Sequence, residues 1–300
     1  GGPAPAPAGG PVSVAPVAQA TRGMAVQCDR VVLLYPSDEG AVAALRGIDL
    51  DISAGEALAV LGPSGSGKSS LLALLAGLVA PSTGQVWLGG RSLGRMSARE
   101  LTHLRATSIS LVLQDPTRNL LPYATALQNV EYAYRLGASE SREPTGPAKA
   151  LLEEMGIAHL ERRLVATMSG GEQQRLAIAG ALVMGPELLL LDEPTNQLDV
   201  ESRDQVLAML LAINRDRGTT VLCVTHDKAV ADALPRTVRI RDGMVGSEAR
   251  QGQNYAVVSR DGTVQLPGDV LDLLAPGSLV RVRRTDRGAE LTNSELPGPE

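Results

Sequence analysis

Phenylalanine is absent from this sequence of 300 residues, and aromatic residues together make up only 2% of it. Apolar residues nevertheless account for 44% of the chain, so Leu, Val and Ala must fill the core. The length allows one or two domains with a sizeable core. Each of the few Tyr and Trp residues is therefore more informative than usual.

Cysteine is nearly absent as well, with Cys28 and Cys223 the two examples. Both lie in apolar, strand-like surroundings, and free cysteine is among the most buried residue types. This pattern predicts two buried structural thiols in a reducing compartment and argues against a disulfide framework.

Long apolar runs and an excess of positive charge are also missing. The longest apolar candidate, Leu71 to Ala80, contains Gly77 and falls well short of the ~18 residues of a membrane span. No charged-then-apolar segment resembling a secretion signal is found, so we expect a cytoplasmic chain that meets a membrane only through a partner. The net charge of −5 argues against nucleic acid as a general partner.

Composition divides the chain into three parts. Residues 1–23 are rich in Gly, Pro and Ala and are predicted to form a disordered tail. Residues 24–248 alternate apolar strands with helical stretches, which predicts an α/β fold with a mostly parallel sheet covered on both faces. The stretch from Met96 to Thr167 is more helical and is interrupted by a loop at 139–147. Residues 253–296 are predicted to form a small β-rich module, with strands at 261–267 and 279–283 and a short helix at 268–274, that needs a partner surface for stability.

Residues 62–69 read Gly-Pro-Ser-Gly-Ser-Gly-Lys-Ser after the apolar strand Ala57 to Leu61. This is a complete G-x-x-x-x-G-K-[ST] phosphate loop, in which backbone N–H groups converge on phosphate oxygens at a helix N-terminus. Lys68 is expected to reach the β- and γ-phosphates, and the Ser69 hydroxyl is expected to bind Mg²⁺. The predicted nucleotide-binding residues here are Gly62, Pro63, Ser64, Gly65, Ser66, Gly67, Lys68, Ser69 and Ser70.

A second motif, Leu188 to Leu191 followed by Asp192 and Glu193, predicts a central strand that ends in two acids. Asp192 would hold Mg²⁺, directly or through water, and Glu193 would take a proton from the attacking water. A strand that simply ends in solvated acids is the alternative, and the intact phosphate loop argues against it.

The string Met-Ser-Gly-Gly-Glu-Gln-Gln-Arg at 168–175 is rarer than either motif. Together with the preceding phosphate loop it resembles the signature of the ATP-binding cassette, or ABC, family. The resemblance implies a P-loop NTPase, RecA-like core with an antiparallel β subdomain and an inserted α-helical subdomain near residues 96–178. It implies ATP and Mg²⁺ as cofactors, and a head-to-tail dimer in which Ser169, Gly170 and Gly171 cap the γ-phosphate bound by the other subunit.

The same resemblance assigns four further residues. Gln114 matches the Q-loop glutamine, which senses Mg²⁺ and water and faces the membrane partner, and His226 matches the switch histidine that contacts the γ-phosphate. Asp199 ends a segment, 196–199, that resembles the D-loop at the dimer interface. Tyr35 lies where the family places an aromatic residue against adenine, although a strand-edge aromatic in the core is an alternative for it.

Four strings narrow the resemblance: the signature at 169–175, Leu-Arg-Ala at 104–106, Leu-Leu-Pro at 120–122 and Thr-Ala-Leu-Gln-Asn-Val at 125–130. With them, the chain between Met24 and Ser247 resembles most closely the lipoprotein-release and macrolide-export branch, which also contains a cell-division type. Gln128, Gly180 and the Asn-Gln pair at 196–197 depart from that branch. The branch implies an ATP-hydrolysing subunit at the cytoplasmic face of the cell membrane. Its implied partners are a second ATPase subunit, integral membrane permease subunits and, through the permease, an extracytoplasmic protein.

Export or mechanical work is the function that this branch implies. Regulation of cell-wall hydrolysis through a membrane partner is an alternative that the sequence separates poorly from export. A soluble ABC protein acting on nucleic acid or ribosomes is a weaker alternative, since the chain has one phosphate loop and one signature.

The C-terminal stretch from Gly262 to Arg283 resembles the swapped-hairpin, AbrB-like pattern, many members of which dimerise and some of which bind DNA. A local basic run accompanies it, formed by Arg281, Arg283, Arg284 and Arg287. Phosphate contacts are one interpretation of this run. A small dimerising or regulatory module with a solvated basic face is the alternative, and the acidic chain as a whole favours it.

Overall fold

The computed structural model describes residues 22–38, 40–138, 147–196, 198–250, 253–258, 262–264, 266, 270, 273–274, 278–286 and 288–293. The predicted disordered tail therefore lies outside the described residues except for Arg22 and Gly23. Most of the loop predicted at 139–147 and the D-loop residue Gln197 also lie outside them.

The backbone of the described residues alternates strands and helices. The strands are β1 (Val26–Ser37), β2 (Gly40–Ile52), β3 (Ala57–Leu61), β4 (Thr83–Leu88), β5 (Arg91–Ser92), β6 (Ile109–Val112), β7 (Leu188–Asp192), β8 (Thr220–Thr225), β9 (Arg236–Arg241), β10 (Met244–Arg250), β11 (Gln253–Ala256), β12 (Val280–Thr285) and β13 (Gly288–Asn293). The α-helices are α1 (Lys68–Leu75), α2 (Ala98–Thr107), α3 (Ala126–Ala138), α4 (Ala148–Glu154), α5 (Gly170–Leu182), α6 (Val200–Arg217) and α7 (Lys228–Ala233).

Seven strands form the main sheet in the order β11-β10-β9-β3-β8-β7-β6. The pairs β9–β3, β3–β8, β8–β7 and β7–β6 are parallel, and β10 and β11 extend one side in antiparallel fashion. All four leucines at 188–191 are fully buried, and alternate ones belong to two different apolar clusters. The predicted α/β fold with both sheet faces covered is confirmed.

The first apolar cluster lies on one face of this sheet and joins α1 to a second, antiparallel sheet of order β2-β1-β4-β5. The second cluster lies on the other face and joins the sheet to α3, α4, α5 and α6. Strand residues alternate between faces, so β7 contributes to both clusters. Leucine and valine dominate both clusters, as the absence of phenylalanine requires.

The stretch from Met96 to Thr167, which the sequence indicates as helical, is less uniform than expected. It contains β6, which pairs in parallel with β7 in the main sheet. Its sequence, Ile-Ser-Leu-Val, is too short to carry a decisive periodicity, so sequence alone does not separate it from a helix segment. The helix α5 also continues to Leu182, beyond the residue 178 suggested as the end of the inserted helices. The subdomain limits of 96–178 therefore remain a proposal.

Both thiols are buried, with Cys28 3% and Cys223 0% exposed. Burial raises the pKa of the Cys28 thiol to about 12 and also raises the pKa of Cys223. A raised pKa keeps a thiol protonated and unreactive, so the prediction of buried, inert cysteines agrees with the structure.

Among the described residues, no helix is long and apolar enough to cross a membrane. At the C-terminal end, β12 and β13 form a separate two-stranded sheet. The strand predicted at 279–283 corresponds to β12. Of the strand predicted at 261–267, Val264 makes an isolated bridge to Val258, while the short helix predicted at 268–274 lies mostly outside the described residues.

The buried centre of β7 gives the first prediction. Leu190→Ala removes a fully buried side chain, and we expect the free energy of unfolding to fall by about 2–5 kcal/mol in urea titrations. Leu78→Ala is the control, because Leu78 is 56% exposed and should cost less than about 0.5 kcal/mol. Equal losses in the two variants would contradict the placement of β7 at the centre of the core.

Candidate nucleotide site

Four parallel strands, β3, β8, β7 and β6, end at the same edge of the main sheet. The phosphate loop at 62–69 follows β3, His226 follows β8, Glu193 follows β7, and Gln114 comes two residues after β6. The crevice outside the carboxyl ends of parallel strands is where open α/β sheets bind ligands. Sheet order alone therefore brings together residues that are up to 164 positions apart in the sequence.

The phosphate loop is held in a tight turn that requires glycine. Gly67 caps α1 with a φ of 99°, a left-handed conformation, and a Cβ there would come within 2.4 Å of the Ala44 carbonyl oxygen. Gly62 N donates to the Thr225 carbonyl at 3.2 Å, which ties the loop to the end of β8. The loop is thus fixed at both ends with its amides at the start of α1.

The loop fits a phosphate chain on two observations. Ser66 Oγ is buried and has no hydrogen-bond partner among the described residues. Lys68 Nζ donates to the loop carbonyls of Gly62 at 2.8 Å and Pro63 at 3.0 Å, so its charge is held inside the loop. A cation and free donors at a helix N-terminus are the chemistry that binds phosphate oxygens.

These residues open onto a cavity of about 590 Å³. Its walls come from the phosphate loop, from the ends of the neighbouring strands and from β2, and are formed by Val42, Ala43, Ala44, Ser64, Gly65, Gly67, Lys68, Ser69, Ser70, Gln114, Asp192, Glu193, Asn196 and His226. The cavity is large enough for a nucleotide ligand, since small-molecule pockets usually measure about 300–1,000 Å³.

Glu193 is the most constrained residue of the cavity. Its side chain is 9% exposed, and Oε1 lies 3.7 Å from Lys68 Nζ and 3.0 Å from His226 Nδ1. The backbone N–H of His226 donates to Oε2 at 3.2 Å. The φ of Glu193 is 47°, a left-handed conformation that costs a non-glycine residue about 1 kcal/mol or more. Backbone strain at a buried carboxylate aimed into a cavity is typical of a functional position.

Asp192 and Ser69 lie together beside Glu193. Burial raises the pKa of the Asp192 carboxyl and the Glu193 charge adds to the effect, while a hydrogen bond from Ser69 and the charge of Lys68 oppose it. A bound divalent cation would relieve the cost of keeping both carboxylates ionised. A carboxylate and a hydroxyl are ligands that Mg²⁺ prefers, so Ser69, Asp192 and the Gln114 amide that lines the same cavity fit a magnesium site.

The signature residues do not line this cavity. Ser169 caps α5: its hydroxyl accepts from the Glu172 N–H at 3.3 Å, and its own N–H donates to Glu172 Oε2 at 2.7 Å. Gly170 lines a separate polar cavity of about 540 Å³ with Gln114 and Asn196. A Cβ on Gly171 would instead face Leu198 of the D-loop and Ser202 of α6.

Two other predicted residues, Asp199 and Tyr35, do not line this cavity in the single chain. Asp199 caps α6 by accepting from the Ser202 N–H at 2.8 Å, and this hydrogen bond lowers its pKa. Tyr35 is 38% exposed and does not line the cavity, but its partner across the β1–β2 pair, Val42, does. Contact of Tyr35 with adenine therefore remains a prediction.

Sequence reasoning missed two parts of the site. Asn196 lines both polar cavities, and the sequence marks it only as a departure from the usual D-loop. The segment Val42 to Ala44 forms a wall because β2 runs past the phosphate loop, with the Ala44 carbonyl against Gly67. The sequence has no motif for this wall, because the wall forms only when the fold brings β2 beside the phosphate loop.

Comparison with known proteins shows the family of this chain. The model of the ABC transporter family matches residues 45–196. The chain belongs to the ABC transporter ATP-binding family. It is 42% identical over 211 residues to the lipoprotein-releasing system ATP-binding protein LolD of Geobacter metallireducens, covering 70% of this chain and 93% of that relative.

Two further ABC proteins are informative. The macrolide export ATP-binding/permease protein MacB of Rhodopirellula baltica is 42% identical over 209 residues, which cover 69% of this chain and 30% of that relative. The solved dimer of an ABC cassette in a post-hydrolysis state with ADP and phosphate has a TM-score of 0.66 and 30% identity, covering 77% of this chain and all of that one. The present chain is thus an ATP hydrolase of the transport type that uses ATP and Mg²⁺.

The geometry around Glu193 gives the second prediction. Glu193→Gln keeps the shape of the side chain but removes the base, and we expect kcat to fall by about 10²–10⁴-fold with ATP binding preserved. Lys68→Ala should instead lose ATP binding, because it removes the cation of the phosphate loop. Steady-state phosphate release and binding of a fluorescent ATP analogue measure the two effects.

Glu153→Gln is the matched control, since Glu153 is exposed on α4 away from the cavity and the same acid-to-amide change there should leave kcat within twofold or so. Hydrolysis that is unchanged in Glu193→Gln would move the role of base to another residue.

Proposed function

We propose that two copies of this cassette close head-to-tail around two ATP molecules, hydrolyse them, and drive conformational change in a membrane permease for export or mechanical work. In this mechanism Glu193 removes a proton from the attacking water, and His226 holds Glu193 in place and contacts the transferred phosphoryl group. The observation that carries it is the buried carboxylate of Glu193, held between Lys68 and His226 in one cavity.

Lys68 and the loop amides would bind the phosphates, and Ser69, Asp192 and Gln114 would hold Mg²⁺, which would supply positive charge. Lys68 Nζ donates two of its three hydrogens to the Gly62 and Pro63 carbonyls, which leaves one for a phosphate oxygen. Because the side chain is already buried and hydrogen-bonded within the loop, little further ordering of it is needed.

The head-to-tail arrangement is supported by what a single chain lacks. Ser169, Gly170 and Gly171 stand at the start of a 13-residue helix, whose N-terminal partial positive charge attracts phosphate. They do not line the cavity of their own Lys68. A second copy is the natural source of a γ-phosphate for them, and a similar cassette has been solved as a dimer.

Coupling to a permease is supported by a groove next to Gln114. A cavity of about 380 Å³ lies between β6, α3 and α5, with Gly180, Ala133, Leu136 and Asn119 among its walls. Asn119 Oδ1 accepts from the Leu113 N–H at 2.9 Å, and its Nδ2 donates to the Leu111 carbonyl at 2.9 Å. A partner segment seated in the groove would therefore act on the residue that precedes Gln114.

Two exposed aromatic residues are close in sequence to residues of the groove walls, Tyr132 next to Ala133 in α3 and Tyr123 shortly after Leu120. Tyr123 is 77% exposed and Tyr132 47% exposed, in a chain with few aromatics. Tyrosine is enriched at protein interfaces because its ring buries a large area at low entropic cost. We assign this side of the helical region to the permease, which would hold the cassette at the cytoplasmic face of the membrane.

Similarity to a lipoprotein-releasing ATP-binding protein and to a macrolide export ATP-binding/permease protein favours export or mechanical work for this chain. Regulation of cell-wall hydrolysis through a similar permease remains the alternative. The extracytoplasmic domain of the captured permease distinguishes the two functions.

The test is capture of the partner by ATP-trapped protein. Tagged Glu193→Gln protein with ATP and Mg²⁺ is mixed with detergent-solubilised native membranes, and bound proteins are identified by mass spectrometry. We expect a polytopic membrane protein. Recovery of soluble proteins or nucleic acid alone would overturn the permease assignment.

The groove gives a matched pair of variants for the same capture. Gly180→Leu on the Glu193→Gln background fills the groove and should lower permease recovery at least about tenfold, since overpacking and lost burial together exceed 1.4 kcal/mol. Gly180→Ala is the control, because its Cβ would meet only the Ala133 Cβ at 3.9 Å, an ordinary contact. Equal recovery with both variants would show that the permease docks elsewhere.

A further inference from the structure

One buried side-chain amide in the described part of the chain lacks a hydrogen-bond partner. Gln174, on α5, is 3% exposed, and its Nε2 has no acceptor among the described residues. Burial removes the water that would otherwise accept from this amide, so an unpaired donor here lowers stability. Proteins keep such donors rarely, and a functional role is one reason for keeping them.

Gln174 lies in the wall of the second polar cavity, the one of about 540 Å³. Three other side chains of this wall offer oxygen acceptors, those of Gln114, Asp115 and Asn196. Asp115 is already engaged, because its Oδ1 accepts from the Thr117 N–H at 3.0 Å and from Thr117 Oγ1 at 2.7 Å. The amide oxygens of Gln114 and Asn196 therefore remain as acceptors for the Gln174 amide.

Gln114 is the better placed of these two acceptors. Its side chain is one methylene longer than that of Asn196. The backbone of Asn196 is fixed in the turn after β7, since its N–H donates to the Glu193 carbonyl at 3.0 Å. Gln114, in contrast, is exposed in the segment that follows β6. Length and freedom both favour Gln114 as the group that reaches Gln174.

Gln114 lines the nucleotide cavity as well as this second cavity. An amide oxygen has two lone pairs, so at the boundary of two cavities it can bind a cation on one side and accept a hydrogen bond on the other. On the nucleotide side, the Gln114 oxygen fits Mg²⁺ together with Ser69 and Asp192. Metal ligands are usually held in orientation by a hydrogen bond from outside the metal site, and Gln174 is the donor that the second cavity offers.

We propose that Gln174 is a positioning residue for the magnesium site: its Nε2 donates to Gln114 Oε1 and holds that oxygen toward Mg²⁺. The inference rests on the magnesium role of Gln114 proposed above. Gln174 belongs to α5, the helix that begins with the signature residues Gly170 and Gly171. One hydrogen bond thereby joins the signature helix to a magnesium ligand of the same chain.

Calorimetric titration of the full chain with ADP tests the proposal, because ADP binding involves no hydrolysis. The quantity measured is the ratio of the dissociation constant in EDTA to that in saturating Mg²⁺. Gln174→Met keeps a side chain of similar length without the donor. We expect it to lower this ratio by about three- to tenfold, the effect of one hydrogen bond to a metal ligand. A merely structural role would change both dissociation constants alike and leave the ratio unchanged.

Gln173→Met is the matched control. Gln173 precedes Gln174 on α5 but lines neither cavity, and its Nε2 donates to the Val165 carbonyl at 3.0 Å and to the Met168 carbonyl at 3.2 Å. We expect its ratio to equal that of the unaltered chain. Gln174→Leu is a second test variant in case thermal unfolding shows that Gln174→Met folds poorly, and it should lower the ratio as Gln174→Met does.

Gln114→Ala separates failure of this inference from failure of the magnesium site. Alone it should lower the ratio, and adding Gln174→Met should lower it no further, because the hydrogen bond then has no acceptor. An unchanged ratio in Gln114→Ala would overturn the magnesium role of Gln114 and this inference with it. A lowered ratio in Gln114→Ala, with an unchanged ratio in both Gln174 variants or a further fall in the double variant, would overturn this inference alone.

Discussion

The nucleotide site depends on one constraint, the parallel register of β3, β8 and β7. Val60 and Leu61 pair with Val224 and Thr225, and Asp192 pairs with Val224 on the other side of β8. Because these strands point the same way and end together, the phosphate loop, His226 and Glu193 emerge at one edge. A shift of register by one residue would turn the side chains of a whole strand to the opposite face.

The same arrangement explains why a strained, charged residue is tolerated at the buried end of β7. Glu193 is buried, left-handed and next to a second carboxylate. The Lys68 ammonium, the His226 ring and the His226 backbone N–H all face its two oxygens. The apolar clusters on both sheet faces hold the ends of the strands in place. Their packing offsets the free energy of the strained backbone and the buried charge at Glu193.

Much of this organisation could be predicted from sequence because it is local. The phosphate loop, the acids after Leu191 and the capping serine of α5 each occupy a short string with a fixed geometry. The rest required the fold. The strand β6 is too short to show its period, and the wall from Val42 to Ala44 forms only because β2 runs past the phosphate loop. The contact of Tyr35 with adenine stays a prediction, and its cross-strand partner Val42 lies in the cavity wall. Long-range pairing decides such features, and a local pattern does not encode it.

The amphipathic hairpin formed by β12 and β13 bears on how this subunit is distinguished from other cassettes. Where a cell makes several cassettes, their nucleotide-binding faces are built from the same motifs and offer little means of telling one subunit from another. The match to the shared family ends at residue 196, and β12 and β13 lie well beyond it. Recognition that is specific to this subunit therefore has room in β12 and β13, outside the nucleotide site that different cassettes share.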